Sequence, residues 1–497
     1  MKTLKLMLIA TLLLVIGCTK DLEEINKNPN APESIEDPGF LLAHIIRSSA
    51  NANLRNSFSR GSVAADQLAS AYASNFSNWT RSEAESYYNW SFYSYIRDLN
   101  EIIALSEEKG YNNYKGIALV LRSWLFQNLT DLYGPIPFRE AASVKYSNIT
   151  TPVYESQEAV YAGLLADLET AVSLLGTSSE SVNGDILYSG DIQNWKKFSS
   201  GLMLRLLMRQ SNRVNPTAQM ERIISDPVRY PLFTSHSDQA ALQYLADTRA
   251  NEAPFYRNSN SDYGISYRAS NTLVNYLQSL NDPRLYVFAL PASLADVGYA
   301  GAINGTGDWD NPAKYSPPGM LWAPLQYNPL ASPVAAQSIL LSYSEVQFIL
   351  AEAAEKGFLQ GGSSRAAEHY LNGIKMQFTY YSSRIPANYD FPKAADVDAD
   401  AAYYEQAAVS YTGTKQQKIE KIWLQKWLSL YLVGFEAWSE WKRTGFPHIV
   451  AGPVSPGHIP QRVLYPADEM RLNEQNYKNA VQLLGSDELS TKVWWAK

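Results

Sequence analysis

The feature that most restricts the fold lies near residue 120. Ile117, Val120, Leu121, Trp124, Leu125 and Leu129 recur at i, i+3, i+4, i+7, i+8 and i+12. On a helix of 3.6 residues per turn these side chains line one face, whereas a strand would scatter them over two. The stripe stops at Leu132-Tyr133-Gly134-Pro135-Ile136-Pro137, where glycine can close a helix and proline cannot extend one. A chain built round such a segment must bury it against other helices.

Partners of that kind are present. Phe40-Leu41-Leu42, Ile45-Ile46 and Leu54 keep helical spacing from Pro38, and a second helix is expected over 62–76. An aromatic run from Tyr87 to Tyr95 leads into Ile96, Leu99 and Ile102-Ile103, which hold helical spacing up to Gly110. Further helices fit 155–175 and 192–213. Helix pairs joined by short turns resemble the tetratricopeptide layout, although no strict 34-residue repeat is present, so periodicity supports stacked helical hairpins.

The middle differs. Eleven prolines lie between residues 226 and 333, and only 270–280 keeps helical spacing. Loops this long are usually functional or disordered. Here they carry Trp309, Tyr315, Trp322 and Tyr327, which argues against disorder. Helices return at 343–356, with Ser342 and Glu345 as a capping box, and at 365–378. Asp396-Val397-Asp398-Ala399-Asp400 has the start of a calcium loop, but Ala401 stands where glycine is needed and Ala407 where glutamate is needed. These acids read instead as the start of a helix over 400–409, and no metal is expected. A helix over 419–441 is expected to break at Gly434, followed by a short helix over 474–484 and an aromatic tail, Trp494-Trp495.

The N-terminus carries a different signal. Lys2 and Lys5 precede eleven apolar or small residues, Leu6 to Ile16, the length of a signal-peptide core and too short to span a bilayer. Val15-Ile16-Gly17-Cys18 closes the run with the one cysteine of the chain. It resembles the bacterial lipoprotein box, which implies cleavage before Cys18 and acylation of its thiol. Lys20, Asp21, Glu23 and Glu24 then resemble the surface-export signal of Bacteroidetes lipoproteins, with a generic acidic tether as the other reading. The expected organisation is a signal peptide over 1–17, a lipidated tether over 18–37 and one domain over 38–497. Within that domain, 38–213 and 342–447 form the helical scaffold, and 226–341 and 448–472 the loop-rich ligand face.

Composition narrows the chemistry. The formal charge is −7 and no basic tract occurs, which excludes nucleic acid as a natural partner. Aromatic residues make up 12% of the chain, more than a helical core needs, so some rings are available to stack on a flat ligand. The loop rings Trp79, Trp309, Tyr315 and Trp322 are the candidates for ligand contact. There is no His-Glu-x-x-His, no Gly-x-Ser-x-Gly and no phosphate loop. The histidines at 44, 236, 369, 448 and 458 are scattered, and His458 beside Gly457 is the one nearest a functional loop. Glu345 and Glu352 fall two helical turns apart, ~10 Å, slightly beyond the usual separation for inverting glycoside hydrolysis. Glu345 reads as a cap and Glu352 as a buried pairing group. No catalytic residue and no cofactor is expected.

Four pieces carry a family resemblance: Asn28-Pro29-Asn30-Ala31-Pro32; Asp131-Leu-Tyr-Gly-Pro-Ile-Pro137; Ser344-Glu345-Val346-Gln347-Phe348-Ile349-Leu350-Ala351-Glu352-Ala353; and Ile422-Trp423-Leu424-Gln425-Lys426-Trp427, followed by Gly434-Phe435-Glu436-Ala437-Trp438 and Arg443-Thr-Gly-Phe-Pro447. In this order they resemble the SusD/RagB family of outer-membrane nutrient-binding lipoproteins. The resemblance implies a mainly α protein on a tetratricopeptide-like scaffold, with long irregular loops forming a ligand face. It implies a non-enzymatic lid, lipid-anchored on the cell surface, that captures an oligosaccharide or peptide for a SusC-like TonB-dependent transporter. Starch-binding members usually show Glu-Arg and then Glu-Gly-x-Arg where Gln425-Lys426 and Phe435-Glu436-Ala437-Trp438 stand, which marks a divergent branch. A surface lipoprotein glycoside hydrolase is the alternative.

Overall fold

The computed structural model describes residues 37–70, 90–256, 266–306, 311–322, 336–450, 452–454 and 459–497. Cys18, its tether, the start of the aromatic run, Trp79, Trp309, Tyr327 and His458 lie outside these residues.

Helix α1 (Pro38–Asn56) buries Leu42, Ile45, Ile46 and Leu54 and continues through a widened π turn to Ala64. Of the helix expected over 62–76, only Ser62–Ala64 is helical among the described residues. Asp66 takes a left-handed φ of 54°, and Leu68–Ser70 becomes strand β1. Its partner, Tyr267–Ala269, lies some two hundred residues away in sequence, and local spacing cannot reveal such a pairing.

Next come α2 (Phe92–Lys109) and α3 (Asn112–Tyr133). Gly110 closes α2 at φ 71°, a left-handed cap that favours glycine. Helix α2 buries a single face, Phe92, Ile96, Leu99 and Ile102, whereas α3 is buried on nearly every side. The helix with the Ile117 stripe is therefore the middle of the scaffold.

Strands β2 (Ile136–Pro137) and β3 (Tyr154–Glu155) form a small ribbon ahead of α4 (Gln157–Leu174) and α5 (Ile192–Arg209). Ser156 and Asp191 cap these two helices by accepting from backbone N–H groups of their first turns. Helix α4 packs against α3 and α5. Shorter elements follow: α6 (Thr217–Ser225), β4 (Ala240–Gln243), β5 (Tyr267–Ala269) and α7 (Asn271–Ser279). Strand β6 (Gln337–Leu341) pairs with β4 and feeds α8 (Tyr343–Lys356), which packs along α9 (Gly362–Ser382) and α5. The architecture is mainly α: the pairs α2–α3, α4–α5 and α8–α9 stack as tetratricopeptide-like hairpins, and irregular loops project from them.

The expected break at Gly434 separates α10 (Lys415–Ser429) from α11 (Glu436–Thr444). Gly434 has φ 52°, and its N–H donates to Ser57 Oγ at 2.6 Å. A Cβ here would lie 2.3 Å from Asn53 Oδ1, and one on Gly61 would lie 1.8 Å from the Gly434 carbonyl oxygen. Only glycine permits this approach of the α10–α11 turn to the end of α1. Helix α12 (Glu474–Leu484) follows, and the C-terminal segment folds back on α3. Val463 N–H donates to Leu132 O at 2.9 Å, and Tyr465 OH to Pro135 O at 2.6 Å.

Inside the scaffold, Asp131, Glu345, Glu352, Glu436 and Glu440 meet Arg205, Arg209, Lys426, Lys442 and Arg443, all buried. Arg205 grips Glu345 with two bonds of 2.7 Å and reaches Glu436 at 3.3 Å. Arg209 pairs with Asp131 at 2.8 Å, Glu436 at 2.5 Å and Glu440 at 3.3 Å. Arg443 holds Glu352 at 2.8 and 2.6 Å and Glu440 at 2.7 Å, and Lys426 pairs with Glu440 at 3.1 Å. Trp495 Nε1 donates to Asp131 Oδ1 at 2.9 Å, tying the tail to the same network. Glu352 is thus the buried pairing group its sequence position suggested. Glu345 departs from the capping-box reading: Ser342 Oγ accepts its backbone N–H at 3.0 Å, but its carboxylate goes to Arg205 instead of back to the cap. A bidentate pair with a buried guanidinium is the stronger partner.

Burial works against ionisation of Glu352, yet Arg443, Lys356 and Lys426 outweigh it and hold the carboxyl at about 2. Removing one partner leaves the other charge buried and uncompensated. Arg443→Met should therefore cost roughly 3–5 kcal/mol, measured by denaturant unfolding. Lys442 donates to Asp131 O at 2.7 Å and lies 4.2 Å from the Trp438 ring centre. Burial lowers its ammonium from 10.5 to about 7, and Asp131 and Glu436 offset only part of this. Between these two values the unfolded chain binds more protons than the folded one, so stability rises with pH across that window. The wild type should gain about 2 kcal/mol between pH 7 and 9 relative to Lys442→Met, read as a difference in unfolding free energy.

Candidate ligand-binding face

The loop-rich segment after α7 is fastened at its base by Arg284, which is fully buried. Its guanidinium donates to Asp282 at 2.5 Å, Gln425 Oε1 at 2.7 Å, Gln377 Oε1 at 2.9 Å and Tyr403 OH at 3.1 Å. Beyond it the chain doubles back on itself. Leu290 N–H donates to Pro317 O at 2.9 Å, Leu294 N–H to Ala313 O at 2.9 Å, and Ser316 N–H to Ala300 O at 2.8 Å. Backbone bonds of this kind make a defined platform out of a proline-rich loop.

Three rings cluster on this platform. Tyr286 meets Tyr299 with ring centres 5.9 Å apart and Phe391 at 5.0 Å. Phe391 is 54% exposed, and Tyr286 and Tyr299 are half-buried. Burial, with a smaller contribution from Tyr286, pushes the Tyr299 hydroxyl up to about 12, so it stays protonated and can donate. The cluster offers apolar ring area beside hydroxyl groups, a surface suited to a flat ligand with a polar edge. Leu294 and Val297 on the same loop are exposed as well.

Of the four rings singled out in the sequence, Tyr315 is half-buried on this loop, next to the Ser316–Ala300 pairing. Trp322 is only 6% exposed and packs on Phe288, Tyr381 and Tyr431 at 5.2–6.3 Å. The cause is Gly319: a Cβ there would lie 1.5 Å from Val287 O, and the close approach turns Met320-Leu321-Trp322 into the core. Trp79 and Trp309 lie outside the described residues. Sequence reasoning missed Tyr286, Tyr299 and Phe391, which come from separate segments and share no motif.

The other candidate chemistry is taken up locally. Asp396 Oδ2 accepts from Lys393 N–H, and Asp400 Oδ1 caps Tyr403 N–H at the short helix Ala401–Glu405. His369 bonds Gln347 at 2.7 Å and is held down at about 4 by burial, then by Arg365. Glu345 and Glu352 have no exposed surface and are each gripped by arginine, so neither can reach a substrate. Among the described residues no helix is long and apolar enough to cross a membrane.

This arrangement, a hairpin scaffold holding an aromatic loop face, defines a class of helical binding proteins. The model of a SusD-like family, described as starch-binding and associating with the outer membrane, matches residues 29–466. The chain belongs to this SusD-like family, whose members are binding proteins associated with the outer membrane. A SusD homologue from Bacteroides fragilis is 25% identical, with a TM-score of 0.77 over 93% of this chain and 99% of its own. A Bacteroides vulgatus protein assigned to the outer membrane and to nutrient binding is 28% identical, with a TM-score of 0.77 over 93% and 100%. A chitin-binding protein is 26% identical, with a TM-score of 0.77 over the same shares. No protein of curated function matches the sequence.

Truncating an exposed ring should cost little stability and truncating a core ring much. Phe391→Ala is expected to change unfolding free energy by less than about 0.5 kcal/mol. Trp322→Ala should cost about 3–5 kcal/mol, both read from denaturant melts.

Proposed function

We propose that this chain captures an oligosaccharide at the cell surface and hands it, as a hinged lid, to a SusC-like TonB-dependent transporter. The observation that carries the reading is the cluster of Tyr286 and Tyr299 on the braced segment with Phe391 from the stretch after α9, in a chain whose family is described as starch-binding and one of whose structural relatives is chitin-binding. Flat apolar rings take the C–H face of a sugar, and the phenol hydroxyls and nearby backbone groups take its hydroxyls. Tyr315 on the same loop is a further candidate contact, and Trp322 packs in the core on Phe288, which neighbours the loop base. Such a protein works by capture and release and needs no catalytic group. A peptide remains the second ligand class of the proposal, since exposed Leu294 and Val297 adjoin the rings. In this reading acylated Cys18 is the fixed end of the lid.

Titration of the purified protein with maltotriose and with chitotriose tests this reading. The pair Tyr299→Ala and Phe391→Ala should weaken binding at least tenfold, a loss of about 1.4 kcal/mol or more. Unchanged affinity would remove the ring cluster from the site. In cells, Cys18→Ser should retain binding and lose membrane association, and gentle detergent extraction of the wild type should bring a large β-barrel with it.

A further inference from the structure

A second concavity lies elsewhere on the scaffold, at the first half of α10, with a volume of about 400 Å³. Helix α10 contributes Gln417, Glu420, Lys421 and Leu424, and Phe446 and Ala408 supply further apolar lining. Its polar groups are partly engaged, which shows what remains for a ligand. Lys421 Nζ donates to Ser410 O at 2.8 Å and Thr412 O at 2.9 Å, and its third hydrogen has no partner among the described residues. Gln417 Oε1 accepts from Thr414 N–H at 2.8 Å as part of the α10 capping box, which leaves the amide NH₂ to donate. Glu420 Oε1 accepts from Gln416 Nε2 at 2.9 Å, which leaves Oε2 to accept.

Two donors and an acceptor thus stand beside a half-buried phenyl ring and a leucine. Lys421 and Glu420 cancel in charge, so a neutral ligand is favoured over an ion. A purely aliphatic ligand would leave the donors and the carboxylate without partners, at the cost of their desolvation. Sugar hydroxyls donate and accept at once, and a pyranose presents a C–H face to a ring. The volume lies near the lower end of small-molecule sites, roughly 300–1,000 Å³, and fits one or two sugar rings. We infer that this cleft is a second saccharide site, lined by residues other than those of the Tyr286–Tyr299–Phe391 cluster. The inference takes its ligand class from the proposed function, and its location from the cleft alone.

Calorimetric titration of the full soluble chain with maltotriose and chitotriose tests it, using two variants that spare the core. Ala408→Trp fills the cleft from an exposed position, and Glu420→Ala removes the acceptor. The wild type should bind two equivalents of at least one sugar. Either cleft variant should weaken one of them at least tenfold and leave the other, while Phe391→Ala should do the converse. Stoichiometry and affinities unchanged in both cleft variants would overturn the cleft while leaving the ring cluster standing. Loss in the cleft variants with no effect of Phe391→Ala would support the cleft and sink the ring cluster. Absence of any binding by the wild type would overturn both.

Discussion

The structure depends on a set of charges removed from water. Asp131 on α3, Arg205 and Arg209 on α5, Glu345 and Glu352 on α8, Lys426 on α10 and Glu436, Glu440 and Arg443 on α11 are all buried and paired across helices, and buried Lys442 on α11 donates to the Asp131 carbonyl. A buried charge is tolerated only when an opposite charge and hydrogen bonds meet it. Apolar contacts let helices slide at small cost. Arg209, which must reach Asp131, Glu436 and Glu440 at once, does not. The network fixes the register of five helices, and with it the frame from which the loops project.

The loops need their own fastening, and Arg284 provides it. The starch-binding pattern that the sequence resembles has a glutamate where Gln425 stands. Here Arg284 is matched in charge by Asp282, and Gln425 serves as a neutral bridge, accepting from Arg284 and donating to Tyr403 OH at 3.1 Å. A second carboxylate at that point would share the Arg284 guanidinium with Asp282 and leave one buried negative charge in excess. The substitution that separates this chain from the starch-binding pattern therefore fits the environment of the loop base and says nothing against saccharide binding.

The helices were legible because amphipathic spacing is a local property. The stripe at Ile117, the break at Gly434 and the helix at 474–484 could be read from residues close together. The motif residues Asp131, Glu345, Glu352, Glu436 and Arg443 were visible too, but as separate pieces; nothing local shows that they touch. The 62–76 expectation failed for the same reason, since the partner of Leu68–Ser70 is Tyr267–Ala269. Trp322 looked like a free loop ring because its neighbours are prolines and glycines, and only the close passage of Gly319 over Val287 turns it inward.

The sequence by itself determined that the chain is a helical scaffold interrupted by a long aromatic loop region, with an N-terminus that resembles a lipoprotein leader and no recognisable catalytic motif. Those properties follow from spacing, composition and short motifs, which depend on neighbours in the chain. The tertiary structure alone decided which of the described aromatic rings reach the surface, that the motifs around Asp131, Glu345–Glu352 and Lys426–Arg443 close into one buried ion network, and where clefts open. Those properties depend on contacts between residues tens to hundreds of positions apart, brought together by the requirement that each buried charge and backbone group find a partner.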